Sequence, residues 1–221
     1  MRVGEVAVVG RPNAGKSTLV NALVGEKVAI VSDKPQTTRK SILGVARRPG
    51  SEVALIDTPG IHRPQYRLNA AMVREATGAL ASADRILFVL DTAERRGPGE
   101  QFILERIAEA KTPAILALNK IDLLPKENLL PIIAELSRRH AFEEIVPVSA
   151  RSGENVERLF EVLAASLPDG ESAYPDDFLT STPETEWIAE HVALDGQRFV
   201  LTGPDIGSAR STPMATKRRA R

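Results

Sequence analysis

The chain has 221 residues, 43% hydrophobic and 26% charged, an ordinary globular usage that suffices for one self-contained core. Lys plus Arg and Asp plus Glu each number 29, so no overall field draws the chain to a polyanion. Cysteine is absent, the three histidines stand far apart at 62, 140 and 191, and no run of about 18 apolar residues occurs. Disulfides, thiolate chemistry and membrane spans are thereby excluded, a histidine metal cluster is disfavoured, and a reducing, cytoplasmic compartment is expected.

In chain order, Val6–Val9 reads as a buried strand running into Gly10. Lys16–Val24 follows as a helix, with Leu19, Val20, Leu23 and Val24 at helical spacing. Ile42–Ala46 and Val53–Ile56 read as two strands joined by a turn through Pro49 and Gly50. Arg85–Leu90, Pro113–Leu118 and Ile145–Val148 are three further strands. Helical patterns fill 66–82, 99–110, 128–140 and 155–166. Such alternation predicts an α/β fold: a mainly parallel six-stranded sheet between two helical layers, with one antiparallel edge strand from the hairpin. Ligands of such sheets bind at loops beyond the carboxyl ends of the strands.

After Leu167 the texture changes. Residues 168–183 are polar, carry Pro and Gly, and read as a linker. Beyond it one short helical pattern covers Glu184–Val192, and the rest of 184–221 is expected to be disordered, ending in the basic run Lys217, Arg218, Arg219 and Arg221.

Unusual residues cluster at the predicted strand ends. Gly10 to Ser17 matches the phosphate-loop pattern GxxxxGK[ST], between a strand and a helix. Its glycines let backbone N–H groups turn toward phosphate oxygens, the helix N-terminus adds partial positive charge, Lys16 reaches the β- and γ-phosphates, and the Ser17 hydroxyl suits Mg²⁺. Asp57, Thr58, Pro59 and Gly60 follow the third strand; the acid suits the metal through water and the Gly60 N–H suits a γ-phosphate. Asn119, Lys120, Ile121 and Asp122 follow the fifth strand. A carboxylate such as Asp122 accepts two hydrogen bonds from guanine that adenine cannot donate, Lys120 can lie along the base, and Asn119 can brace the loops. Ser149 and Ala150 follow the sixth strand and give a further backbone N–H near the base edge. Thr37 and Thr38 lie in a polar loop, where a threonine could join the metal only when the γ-phosphate is present. His62 reads as a solvated loop residue, His140 as a helix-end residue in contact with the dipole, and Phe178 and Trp187 as packing residues of the short helix rather than RNA-stacking ones.

Together, GRPNAGKSTLVNALVG at 10–25, PQTTR at 35–39, DTPGIH at 57–62, NKID at 119–122 and VSARSG at 148–153 resemble the translation-factor class of P-loop GTPases and, within it, the Era family. YPDDFLT at 174–180 is similar to the segment leading out of that family's GTPase domain. The resemblance covers about residues 1–190. It implies a three-layer P-loop GTPase domain over 1–167 and Mg²⁺-dependent hydrolysis of GTP to GDP. It further implies binding to the small ribosomal subunit and its 16S rRNA, with loose association at the inner face of the membrane. A monomer is expected.

By resemblance, Gly10, Arg11, Pro12, Asn13, Ala14, Gly15, Lys16, Ser17, Thr18, Asp57, Thr58, Pro59, Gly60, Ile61, Asn119, Lys120, Ile121, Asp122, Ser149, Ala150 and Arg151 line the nucleotide. Lys16, Thr38, Gly60 and Asn13 carry catalysis, and Ser17, Thr38 and Asp57 hold the metal. Ile61 stands where many GTPases have glutamine, so it cannot orient the attacking water. Related GTPases with an apolar residue there use K⁺ beside a phosphate-loop asparagine, which Asn13 matches.

The family continues into a KH-type RNA-binding domain with a GxxG loop. After Ile188, Ala189 and Glu190 the expected pattern is lost and no GxxG follows, so truncation before or within that domain is expected, by a frameshift in the gene or its prediction. Three readings stay open: an Era-type GTPase without its RNA-binding half, down to a non-functional fragment; a stand-alone GTPase switch whose basic tail contacts RNA or membrane; and an ATPase or kinase of another class, against which Asp122 argues.

Overall fold

The computed structural model describes residues 1–29, 31, 41–60, 76–94, 97–175 and 177–181. Its strands are β1 (Arg2–Gly10), β2 (Ile42–Arg48), β3 (Ser51–Asp57), β4 (Arg85–Asp91), β5 (Ala114–Asn119) and β6 (Glu144–Pro147). Its helices are α1 (Lys16–Val24), the helical residues 76–82 (α2), α3 (Pro98–Ala110), α4 (Leu129–Arg139) and α5 (Val156–Ser166). The strands form one six-stranded sheet in the order β2-β3-β1-β4-β5-β6. Only β2 runs antiparallel to its neighbour, as the hairpin reading expects.

Side chains alternate across a strand, so a strand buried on both faces feeds two cores. Val6 and Val8 of β1 pack with Leu19, Leu23, Leu159, Phe160 and Leu163 of α1 and α5. Ala7 and Val9 pack on the other face with Leu80, Ile103, Ile107 and Leu136 of α2, α3 and α4. Each such leucine or isoleucine contributes about 1.5–3 kcal/mol relative to staying exposed. The result is the expected three layers, with β1 central and its carboxyl end opening on α1.

The boundaries differ from the apolar runs where backbone pairing extends beyond them. β1 starts at Arg2 rather than Val6, because Arg2 to Glu5 continue the parallel ladder opposite Ser51 to Ala54. β2 and β3 extend to Arg48 and from Ser51, leaving Pro49 and Gly50 as the turn, where Gly50 has φ 78°. The N-terminal part of the predicted 66–82 helix lies outside the described residues.

Residues 168–175 and 177–181 stay on the domain as a strap: 168–170 pair with Met1–Val3 at the start of β1, and the later residues reach β3 and the edge strand β2. Gly44 forms an antiparallel bridge with Thr180, and the Val45 N–H donates to the Leu179 carbonyl at 2.9 Å. Arg47 donates to the carbonyls of Phe178 (2.7 Å) and Pro175 (2.9 Å). Glu52, 1% exposed, accepts from Arg47 Nε (3.0 Å), Ser172 Oγ (2.7 Å) and the Ala173 N–H (2.9 Å). Burial pushes the Glu52 carboxyl up, and these hydrogen bonds outweigh it, leaving its pKa below the usual value. Phe178 stacks on Tyr174 (5.2 Å between ring centroids), and the Tyr174 hydroxyl donates to Glu5 at 3.2 Å. Trp187, His191 and the rest of 182–221 lie outside the described residues.

His140 differs from its expected role. Its backbone N–H caps α4 on the Leu136 carbonyl (3.3 Å), while its ring lies edge-on to Phe142 at 4.8 Å. Burial lowers the ring's pKa, which weakens the charged form that a helix C-terminus would favour.

Candidate nucleotide site

Four loops meet at the carboxyl ends of β1, β3, β5 and β6. The first wraps from Gly10 into α1. Gly10 lies so close to β4 that an added Cβ would collide with the Val89 carbonyl. Gly15 has φ 89°, a left-handed conformation that favours glycine, and a Cβ there would strike the Asn119 side-chain amide. Only glycines fit these two positions, and they bring backbone N–H groups of the loop to the start of α1. Asn13 also takes positive φ, at 64°. Arg11 leaves the loop to pair with Glu94 at 2.6 Å.

Lys16 begins α1, is 6% exposed, and donates to the Arg11 carbonyl at 3.3 Å. Burial lowers its pKa, against the opposing pull of Asp57. A buried ammonium so held gains a strong partner when a phosphate arrives. Ser17 Oγ donates to Asp57 Oδ2 at 2.7 Å, and Asp57 is fully buried. This pair is a set of hard oxygen donors beside a cationic lysine, which fits Mg²⁺ together with phosphate oxygens. Gly60 closes on the phosphate loop: a Cβ there would stand 2.8 Å from the Pro12 nitrogen.

The loop after β5 is fastened to the loop that follows β1. Asn119, 2% exposed, donates through Nδ2 to the Ala14 carbonyl (2.9 Å), and its Oδ1 accepts from the Ala150 N–H (3.0 Å). Lys120, at φ 66°, donates to the Asn13 carbonyl (2.8 Å) and to Asp91 Oδ2 (2.6 Å). Asp122 is exposed at the loop tip, and Ser149 Oγ donates to its Oδ1 at 2.6 Å, fixing one carboxylate oxygen.

Some expected nucleotide contacts are used elsewhere. The Thr58 hydroxyl is buried and donates to the Val8 carbonyl at 2.8 Å, so it ties β3 to β1. The Ala150 N–H, expected near the base edge, donates to Asn119 Oδ1 at 3.0 Å. Ile121 is a buried side chain whose N–H donates to Val148 at 3.3 Å. Thr18 is half-buried on α1 and Arg151 is exposed beside Ser149. Thr38, Ile61 and His62 lie outside the described residues. Sequence reasoning missed Asp91 and Thr92, an acid and a threonine that close an apolar strand and meet the Asn119–Lys120 loop only through the β4–β5 pairing.

Residues 5–120 match the family model described as "50S ribosome-binding GTPase". The chain is 48% identical over 191 residues to the GTPase Era of Geotalea uraniireducens, covering 86% of this chain and 64% of the relative. It is 44% identical over 192 residues to the GTPase Era of Heliobacterium modesticaldum, covering 87% of this chain and 64% of the relative. Among solved structures it resembles Era in complex with MgGDPNP and nucleotides of 16S ribosomal RNA, at 42% identity and a TM-score of 0.83, covering 87% of this chain and 66% of that one. The chain thus spans a little under two thirds of the curated relatives' length.

Proposed function

Because this chain belongs to the 50S ribosome-binding GTPase family, we propose that it binds GTP and GDP and hydrolyses GTP to GDP and phosphate. The observation that carries this reading is the fastening of the Asn119–Lys120 loop onto the phosphate loop at Ala14 and Asn13. It holds a base-reading carboxylate, Asp122, at a fixed span from the helix start that faces phosphate.

In this reading the loop N–H groups from Asn13 to Ser17 and the Lys16 ammonium stabilise charge on the transferring phosphoryl group. They act in a partly dry site, where fixed donors are most effective. Ser17, with Asp57 through water, would hold Mg²⁺, which would neutralise phosphate charge, and Thr38 is proposed as a further ligand. Gly60, whose backbone packs close against Pro12, is proposed to offer its N–H to the γ-phosphate. Asn13 is proposed to hold K⁺, a source of positive charge where Ile61 cannot orient water. The Era structure solved with MgGDPNP and 16S ribosomal RNA supports the metal and extends the proposal to a ribosomal RNA partner, the 16S rRNA of the small subunit. A cytoplasmic monomer in peripheral contact with the inner face of the membrane completes the proposal on family grounds; no helix among the described residues is long and apolar enough to cross a membrane.

The test is phosphate release with Mg²⁺ from GTP and from ATP, in K⁺ and in Na⁺ buffers. Release from GTP alone, faster in K⁺, is expected. Equal release from ATP would remove the guanine reading, and equal rates in the two salts would remove the K⁺ role.

A further inference from the structure

The geometry points to Asp91 as a positioning residue for guanine-nucleotide retention, acting through Lys120. The inference rests on the proposed guanine-nucleotide reading and adds to it a residue outside all of the motif segments.

Asp91 closes β4 directly opposite Asn119 in the parallel pairing with β5. Its side chain is 12% exposed, and its Oδ2 accepts from Lys120 Nζ at 2.6 Å. Its Oδ1 accepts from the Ala93 N–H at 2.8 Å, so the carboxylate is itself held in place. The next residue, Thr92, donates through both Oγ1 (2.9 Å) and its backbone N–H (3.0 Å) to the Asn119 carbonyl. β4 therefore grips the backbone just before Lys120 and the amine at the end of the Lys120 side chain. Lys120 itself has φ 66°, a backbone state that a lysine seldom adopts unaided.

A lysine stem has four rotatable bonds and loses much freedom when fixed. Here two acceptors, Asp91 Oδ2 and the Asn13 carbonyl, fix the ammonium before any ligand arrives. The stem between them is preorganised along the path a base would cover. An ion pair this short and this little exposed on the acid side holds better than a surface pair. Without the Asp91 charge, Lys120 keeps only the Asn13 carbonyl. Its stem then samples other rotamers whenever the base lifts, and nucleotide escapes faster.

The experiment is a double-mutant cycle on the full chain, read as release of a fluorescent GDP in stopped flow. Asp91→Asn keeps the shape and, with its one oxygen on the Ala93 N–H, turns an amide NH2 toward Lys120, so both the charge and the acceptor for Lys120 are removed. In the wild-type background it should speed release about tenfold, the size expected of a coupled, hydrogen-bonded ion pair. In a Lys120→Met background it should change release by less than about twofold, because the partner is already gone. Asp91→Glu should recover part of the loss. Where release is too fast to follow, calorimetric GDP affinities complete the same cycle, and melting of the nucleotide-free variants separates unfolding from lost positioning. Equal acceleration in both backgrounds would mean a general structural role and would overturn the inference, as would no acceleration in either. A wild-type chain that retains no GDP would overturn the nucleotide reading as well, and so is distinguishable from failure of Asp91 alone.

Discussion

β3 carries a buried carboxylate near each end, and the two are put to opposite uses. Glu52, near its start, is 1% exposed and is ringed by Arg47, Ser172 and the Ala173 N–H, donors that the fold holds still. Asp57, at its end, is equally buried and faces Ser17 and Lys16, groups that begin a helix at the end of the proposed phosphate loop. Burial of an acid therefore does not mark a site. The nature of its partners does: the donors around Glu52 close a strap, while those around Asp57 are the ones a metal and a phosphate would engage.

The largest effect should come at the Asp57 end. Lys16→Ala should lower GTP turnover by about a thousandfold, since a preorganised charge on the transferring group is removed. Phosphate release checks the rate, and circular dichroism should show the fold intact. Turnover within tenfold of wild type would place catalysis elsewhere.

At the other end, Glu52→Gln should leave GDP affinity unchanged and cost about 1–3 kcal/mol in stability, because buried donors lose a charged acceptor. Urea unfolding reads this directly. The same group gives a pH signature. Its folded pKa lies below the ordinary 4.5, so its contribution is present above that value and is lost as pH falls through the lowered folded value. The wild-type protein should lose stability over this acid window and Glu52→Gln should lose less. A change in GDP affinity in Glu52→Gln would break the separation between the two ends.

How much of this was legible follows from the same contrast. The proposed nucleotide end shows as a pattern in the sequence because the proposed chemistry calls for residue types at set spacings: Gly15 where a Cβ would strike Asn119, Lys16 and Ser17 at a helix start, Asp122 beyond a buried strand. The six strands and their order of appearance could be read from apolar runs. The strap could not. Its hydrogen bonds run from Arg47 to backbone carbonyls at Pro175 and Phe178, which no residue type announces, and its polar, Pro- and Gly-bearing composition is also that of a free linker. Asp91 was missed for a related reason: its partner Lys120 is 29 positions away and is brought near only by the β4–β5 register.

The smallest expected effect lies away from both ends. His140 has a lowered pKa from burial against Phe142, so the folded state prefers the neutral ring. Its contribution to stability is present above the ordinary value of 6.5 and is lost as pH falls from there through the lowered folded value. His140→Phe should flatten the pH dependence of the melting temperature in that interval and leave nucleotide affinity untouched. An unchanged slope would show that the ring titrates normally.

The central claim is that the loops at the carboxyl ends of β1, β3, β5 and β6 form one guanine-nucleotide site. Calorimetric titration of the purified chain with GDP and with ADP, in Mg²⁺, tests it most directly. One GDP per chain, with no heat of binding from ADP, is the predicted result. Equal binding of the two nucleotides, or of neither, would contradict it.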